Sequence, residues 1–195
     1  MDNRERESFF LIITSAVSGR PLSAQERARY APDMLPAMSA LARQHDLTHL
    51  LALGLKNNGL CGEQGKELDN EMFRAAFRCE QLEHELKKIC GTLEKARIPF
   101  IPLKGSVLRR YYPEPWMRTS CDIDVFVREA DLDRAMEALS ENLSYRIGEI
   151  SDHDVQIYTP NGQHIELHRN LIEDHRINQA AEVLAAVWDT AIPHS

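Results

Sequence analysis

The sequence has 195 residues, 43% of them hydrophobic and 27% charged, the composition of a soluble globular protein long enough to bury a sizeable core. Its formal net charge of −7 argues against an extended nucleic-acid-binding surface. A local basic strip at Arg109, Arg110 and Arg118 is the exception to this acidic balance.

No signal for export or for membrane insertion is visible in the sequence. The apolar run at residues 9–17 lacks a cleavage pattern, and no segment approaches the ~18 apolar residues that a transmembrane helix needs. The four cysteines have no metal-ligand spacing, so we expect free thiols in a reducing cytosol, with Cys121 buried. These features predict a cytoplasmic protein without a membrane partner.

Residues 1–97 are predicted to be helical, because apolar residues recur at helical spacing throughout. Turn residues around Gly19 and Gly59 end two of the helices. The longest predicted helix covers residues 64–97, and its apolar stripe consists of Phe73, Phe77, Leu82, Leu86, Ile89 and Leu93.

Strands are predicted beyond residue 97, which divides the chain into a helical region, 1–97, and a mixed domain, 98–195. The first strand, 98–103, contains two prolines that remove ladder donors, so we expect it to be bent, short or at a sheet edge. Asn161-Gly162 predicts a hairpin turn. The other predicted strands are 123–127, 145–150, 155–158 and 163–167, and the other predicted helices are 107–111, 131–142 and 180–188.

Asp122 and Asp124 flank Ile123 at the start of the second predicted strand. Because successive side chains of a strand alternate faces, the two carboxylates point the same way. Such a pair repels and loses hydration unless it has a counter-charge, and Mg²⁺ (or Mn²⁺) commonly supplies one. Two surface aspartates without a ligand are the alternative interpretation of this pair taken alone.

Lys104-Gly105-Ser106 follows the first predicted strand. Glycine lets a phosphate approach the backbone, the start of the next helix offers free N–H groups, and lysine adds positive charge. The sequence therefore predicts a phosphate-binding turn, with a solvated lysine at a strand end as the alternative. Arg118 is predicted either to contact phosphate or to pair with one of the two aspartates.

Glu166 is the candidate third carboxylate. Strand alternation places it on one face with His164 and His168. These three side chains resemble an H-x-E-x-H site for Zn²⁺ or Fe²⁺, but on a straight strand the outer two lie roughly 13 Å apart, too far for one ion. A half-exposed strand without a ligand is the other alternative.

The L-K-G turn, the R-x-x-x-D-I-D string from Arg118 to Asp124 and the I-E-L-H strand ending at His168 together resemble one family. The resemblance is to nucleotidyltransferases of the DNA polymerase β superfamily, in the branch labelled uncharacterised nucleotidyltransferase. It covers about residue 98 to the C terminus. It implies that this part of the chain is a nucleotidyltransferase-like mixed sheet flanked by helices. Together with the helical N-terminal half predicted from spacing, this gives an α+β fold.

The resemblance also implies a reaction, in which a nucleoside monophosphate passes from an NTP such as ATP to an acceptor hydroxyl and pyrophosphate is released. Asp122, Asp124 and Glu166 are then the catalytic and metal-binding residues, holding two Mg²⁺ (or Mn²⁺) ions. The residues expected to bind the NTP are Lys104, Gly105, Ser106 and Arg118. The acceptor is a protein side chain, an RNA end or a small molecule, which the sequence does not distinguish.

Two other functional classes remain open at this point. A glycosyltransferase also uses a D-x-D strand end to bind a metal and a nucleotide-sugar diphosphate. A non-catalytic module, for example a toxin–antitoxin partner, would retain the fold without the reaction. Metal-dependent NTP binding separates the nucleotidyltransferase from the non-catalytic module, and preference for NTP over nucleotide-sugar separates it from the glycosyltransferase.

Overall fold

The N-terminal half of the chain is helical, as predicted. The computed structural model describes residues 2–171 and 186–191. Asp2 and Ser23 each form a capping box with the glutamate three residues on, which satisfies backbone donors at the start of two helices. The helices of this half are α1 (Asn3–Ser18), α2 (Ala24–Arg27), α3 (Leu35–Gln44), α4 (Thr48–Asn57) and α5 (Gly65–Lys95).

The described residues form two compact units, each with its own apolar core. The first unit contains residues up to Gln81 together with Leu108–Thr119, and its core brings together α1, α3 and α4. The second contains Leu82–Val107 and the described residues from Ser120 onwards. None of the described helices is both long enough and apolar enough to cross a membrane. The domain boundary at residue 97 stays a prediction.

Close packing of α1 against α4 depends on Gly54. A Cβ atom added there would lie 2.4 Å from the carbonyl oxygen of Ile12 and 2.6 Å from its Cγ2 atom. The backbone of Ile12 cannot move away without a cost in stability, so the close contact between the two helices requires a residue without a side chain at position 54. Gly91, on α5, offers the contrast, because a Cβ atom added there meets no atom within 4 Å.

We expect Gly54→Ala to lower the free energy of unfolding by about 1–3 kcal/mol, because overpacking outweighs the gain in helix propensity. The matched variant Gly91→Ala should raise it by roughly 0.5–1 kcal/mol, because alanine there gains propensity without a clash. Urea denaturation of both variants measures the difference. Equal effects of the two substitutions would contradict this account of the α1–α4 contact.

The second unit contains a five-stranded mixed sheet in the order β1-β2-β5-β4-β3, which confirms the predicted fold class. Only the β2–β5 pair is parallel, and the other pairs are antiparallel. The proline-containing β1 lies at one edge, as expected for a strand that lacks ladder donors. The strands are β1 (Phe100–Pro102), β2 (Asp122–Val127), β3 (Arg146–Ile150), β4 (Asp154–Tyr158) and β5 (His164–His168).

Helices on the sheet cover its apolar face. The buried cluster combines the C-terminal part of α5 and α7 (Leu132–Leu143) with inward-facing residues of β2, β4 and β5. Gly105–Leu108 forms the short helix α6, and Val187–Thr190 forms α8. The predicted helix at 180–188 lies mostly outside the described residues, of which only its last part belongs to α8.

Two side chains of the predicted apolar stripe, and Cys121, which was predicted to be buried, are exposed. Phe73 and Phe77 of α5 are 70% and 56% exposed and stack on each other, with ring centroids 6.3 Å apart. The buried stripe of α5 runs instead through smaller residues such as Ala75 and Cys79. Cys121 is exposed, because it precedes β2 and is not one of its alternating residues.

Candidate active site

Two neighbouring parallel strands carry the candidate site. Register pairs Asp122 with His164 and Asp124 with Glu166, so polar side chains of β2 and β5 lie side by side. The alternate residues Ile123, Val125, Ile165 and Leu167 are all at most 1% exposed and anchor both strands in the core. Burial of the apolar face therefore holds the polar face of these two strands in register.

An inner group, consisting of Asp124, Glu166 and His168, lies in the more buried part of this face. One potential ligand atom from each residue lies within 4.8 Å of those of the other two. His168 Nε2 is 3.0 Å from Asp124 Oδ1 and 3.3 Å from Glu166 Oε2, so this nitrogen donates its proton to carboxylate oxygens. Asp124 is 1% exposed and His168 is 6% exposed.

An outer group, consisting of Asp122, His164 and Glu166, adjoins the inner group. Its three potential ligand atoms also lie within 4.8 Å of one another, and all three residues are partly exposed. Glu166 belongs to both groups, so the structure brings all three predicted carboxylates together. Their roles in binding and catalysis remain predictions.

Lys104 reaches the inner group from the turn after β1. Its Nζ atom donates a hydrogen bond to Asp124 Oδ1 at 2.6 Å and lies 3.6 Å from Glu166 Oε2. The turn has the unusual backbone angle φ 45° at Lys104, and the Leu103 N–H donates to the Asp124 carbonyl at 3.0 Å. These features hold the lysine next to β2.

The remaining residues of the predicted phosphate-binding turn lie at the start of α6. Gly105 and Ser106 are buried there. The Ser106 N–H donates to the Leu103 carbonyl at 3.1 Å, so this donor is already used within the turn. Arg118 belongs to the first compact unit, where its guanidinium donates to the Thr119 carbonyl.

Opposite charges stabilise the ionised forms of Asp124 and Lys104. Burial by itself raises the pKa of Asp124, but hydrogen bonds from His168 and Lys104 outweigh burial and hold that pKa below its ordinary value. Partial burial by itself lowers the pKa of Lys104, but the hydrogen bond and charge of Asp124 raise it above its ordinary value, with smaller contributions from Glu166 and Asp122.

A family model described as "Uncharacterised nucleotidyltransferase" matches residues 35–194. The chain belongs to this family. A search of curated proteins found no match. The match confirms the resemblance seen in the sequence, and it extends that resemblance to α3, well before residue 98. Membership of this family supports nucleotidyl transfer as the general reaction class.

The donor atoms of this family member fit a divalent metal ion, which enzymes of nucleotidyl transfer commonly use. Carboxylate oxygens suit Mg²⁺ and Mn²⁺, and imidazole nitrogen suits transition metals. In addition, His164 Nε2 is buried without a hydrogen-bond partner among the described residues. A buried polar atom without a partner is costly, and a bound ligand is one way to satisfy it.

The sequence did not reveal how the two histidines are used. A single ion bound by both was rejected on distance, and in the described residues each histidine indeed lies in a separate group. What was missed is that each group combines one histidine with an aspartate of β2. The available signal was the shared face of His164, Glu166 and His168, but the pairing of β5 with β2 was needed to interpret it.

Proposed function

We propose that this chain transfers a nucleoside monophosphate from an NTP to an acceptor hydroxyl and releases pyrophosphate. The observation that carries the proposal is the convergence of Asp122, Asp124 and Glu166 on two adjacent parallel strands. Three carboxylates on neighbouring strands offer oxygen ligands to a divalent cation, and an NTP binds with such a cation and supplies the reacting phosphorus atom. Family membership supports the same reaction class.

Each carboxylate has a distinct role in the proposed reaction. Asp122 and Asp124 would hold Mg²⁺ or Mn²⁺, which would supply positive charge to the triphosphate and to the attacking hydroxyl. Glu166 completes the ligand set on the acceptor side and accepts the hydroxyl proton. Its side chain is 22% exposed, so an acceptor can reach it.

Residues of the turn after β1 orient the triphosphate in this proposal. The Lys104 side chain is 58% exposed although its ammonium contacts Asp124, so phosphate oxygens have access to it. Gly105 and Ser106 fix the path of the backbone behind the lysine. Arg118 is proposed as a further phosphate contact, and residues 1–97 are proposed to shape acceptor choice in a cytoplasmic enzyme.

Label transfer tests the proposal directly. The purified chain is incubated with each α-³²P NTP, with Mg²⁺ or Mn²⁺, and with a cell lysate that supplies the acceptor. We expect metal-dependent transfer of label to one fraction, which protease and RNase treatment then assign to protein, RNA or small molecule. The Asp122→Asn variant is the matched control and should transfer no label.

Three results would contradict the proposed reaction. Metal-dependent NTP binding without transfer in any fraction indicates a non-catalytic member of the family, such as a toxin–antitoxin partner. Absence of both binding and transfer removes the NTP as substrate. Transfer from a nucleotide-sugar in preference to an NTP indicates a glycosyltransferase.

A further inference from the structure

We propose that Lys104 fills the cation position of the inner group, so that without nucleotide the chain binds one divalent ion, in the outer group. The inference rests on the metal-dependent function proposed above. It assigns different occupants to two groups that look alike in residue type. Lys104 then sets the number of metal ions that bind before the NTP does.

The inner group already has its counter-charge. The Lys104 ammonium contacts Asp124 Oδ1 at 2.6 Å and lies 3.6 Å from Glu166 Oε2, and His168 Nε2 lies within 3.3 Å of the same two oxygens. An ion bound to these oxygens would stand next to the ammonium and repel it. A metal ion must therefore displace Lys104 to enter the inner group.

Lys104 approaches the outer group through the shared Glu166, at 3.6 Å, but among the described residues it makes no short contact with Asp122 like the one with Asp124. Among the described residues, no lysine, arginine or histidine forms an ion pair with Asp122. His164 Nε2 is buried and lacks a hydrogen-bond partner in the same part of the chain. A divalent ion that enters the outer group leaves the Lys104–Asp124 hydrogen bond in place. The first ion therefore prefers the outer group.

A bound triphosphate then competes with Asp124 for the Lys104 ammonium. Its oxygens offer the exposed lysine side chain a second anionic partner, and movement of the ammonium to phosphate would leave the Asp124 carboxylate free for a second ion. The same lysine thus links nucleotide binding to the inner group. Without nucleotide, the chain remains limited to one ion.

Mn²⁺ titration of the full chain without nucleotide tests the inference, with free Mn²⁺ measured by electron paramagnetic resonance. We expect one bound ion in the wild type and two in Lys104→Met, which removes the ammonium and keeps an unbranched side chain. Lys104→Arg retains the charge and should bind one ion. Lys56→Met is the matched control, because Lys56 pairs with Asp69 on the surface of the first unit, and it should also bind one ion.

A second variant identifies the group that holds the single ion and does not depend on the folding of Lys104→Met. His164→Gln keeps Lys104 in place and should weaken Mn²⁺ binding by roughly tenfold or more, the effect of disturbing a metal site. Electron spin echo measurements should show ¹⁴N coupling to Mn²⁺ in the wild type and lose it in this variant. Unchanged affinity in His164→Gln would place the ion elsewhere and overturn the inference.

The remaining outcomes separate this inference from the proposed function. Two ions in the nucleotide-free wild type, or one ion in a folded Lys104→Met variant, overturn the role of Lys104 and leave metal-dependent transfer intact. Failure of the wild type to bind Mn²⁺ at all, with or without NTP, overturns both. One ion in the wild type that becomes two when an unreactive NTP analogue is added supports both.

Discussion

Asp122→Asn and Asp124→Asn are each expected to abolish metal-dependent NTP binding, and only the second should also lower the stability of the chain. Both substitutions remove a carboxylate oxygen ligand from a site that needs anionic donors for a divalent ion. The structure distinguishes the two aspartates in the absence of metal. Asp124 is 1% exposed and accepts hydrogen bonds from Lys104 and His168, whereas Asp122 is partly exposed.

The stability difference follows from what each substitution leaves behind. Asparagine at position 124 removes the buried carboxylate that Lys104 and His168 contact most closely and leaves Glu166 as their nearby anion, which costs about 1–3 kcal/mol after allowance for the exposure of the lysine. Removing a negative charge from an unpaired carboxylate pair would stabilise the metal-free chain, but at Asp124 that charge is paired with Lys104. At Asp122 we expect little change in the free energy of unfolding.

Isothermal titration calorimetry with Mg²⁺ and NTP measures the loss of binding, and thermal unfolding without metal measures stability. Asp133→Asn is the control, since Asp133 is exposed on α7 in the same unit and belongs to neither group. Unchanged Mg²⁺-dependent NTP binding in both site variants would contradict the assignment of Asp122 and Asp124 as metal ligands.

Glu166→Gln is expected to reduce the rate of nucleotidyl transfer by about 10²–10⁴-fold, the range for loss of a general base, with little effect on NTP affinity. Glutamine keeps the shape of the side chain but is a poor proton acceptor and a weaker metal ligand. Glu166 belongs to both the inner and the outer group. In the proposed reaction its carboxylate therefore lies next to the acceptor hydroxyl that loses a proton and attacks the phosphorus atom. An interaction made chiefly in the transition state lowers the rate more than the affinity.

Single-turnover transfer of the α-³²P label gives the rate, and equilibrium binding of the same NTP gives the affinity. Glu149→Gln on the edge strand β3 is the matched control, because this exposed glutamate lies on the same sheet and outside both groups. If Glu166→Gln lowers affinity and rate by the same factor, Glu166 binds the ground state and is not the base.

The amino-acid sequence by itself determined the local structure. Helical spacing predicted the helices of the first half, and the capping residues Asp2 and Ser23 start two helices through contacts with residues three positions away. The Asn161-Gly162 turn, with φ 81° at Gly162, and the two prolines near β1 likewise act within a few residues. Such interactions are readable because both partners are close along the chain.

Strand alternation and the family resemblance also identified the three carboxylates as candidate metal ligands from the sequence. Alternation fixes which side chains share a face of one strand, and the observed register of β2 and β5 agrees with that expectation for Asp122, Asp124 and Glu166. The roles of these residues in binding and catalysis remain predictions.

Only the tertiary structure decided which cations meet these carboxylates and which apolar side chains are buried. The Lys104–Asp124 pair spans 20 residues and the His168–Asp124 pair spans 44, and both depend on how β1, β2 and β5 are ordered in the sheet. Helical periodicity predicted an apolar stripe on α5 but not the surface that the stripe packs against, and Phe73 of that stripe is exposed. Long-range packing chooses among faces that local preference leaves equivalent, and here that choice sets the charge balance of the candidate active site.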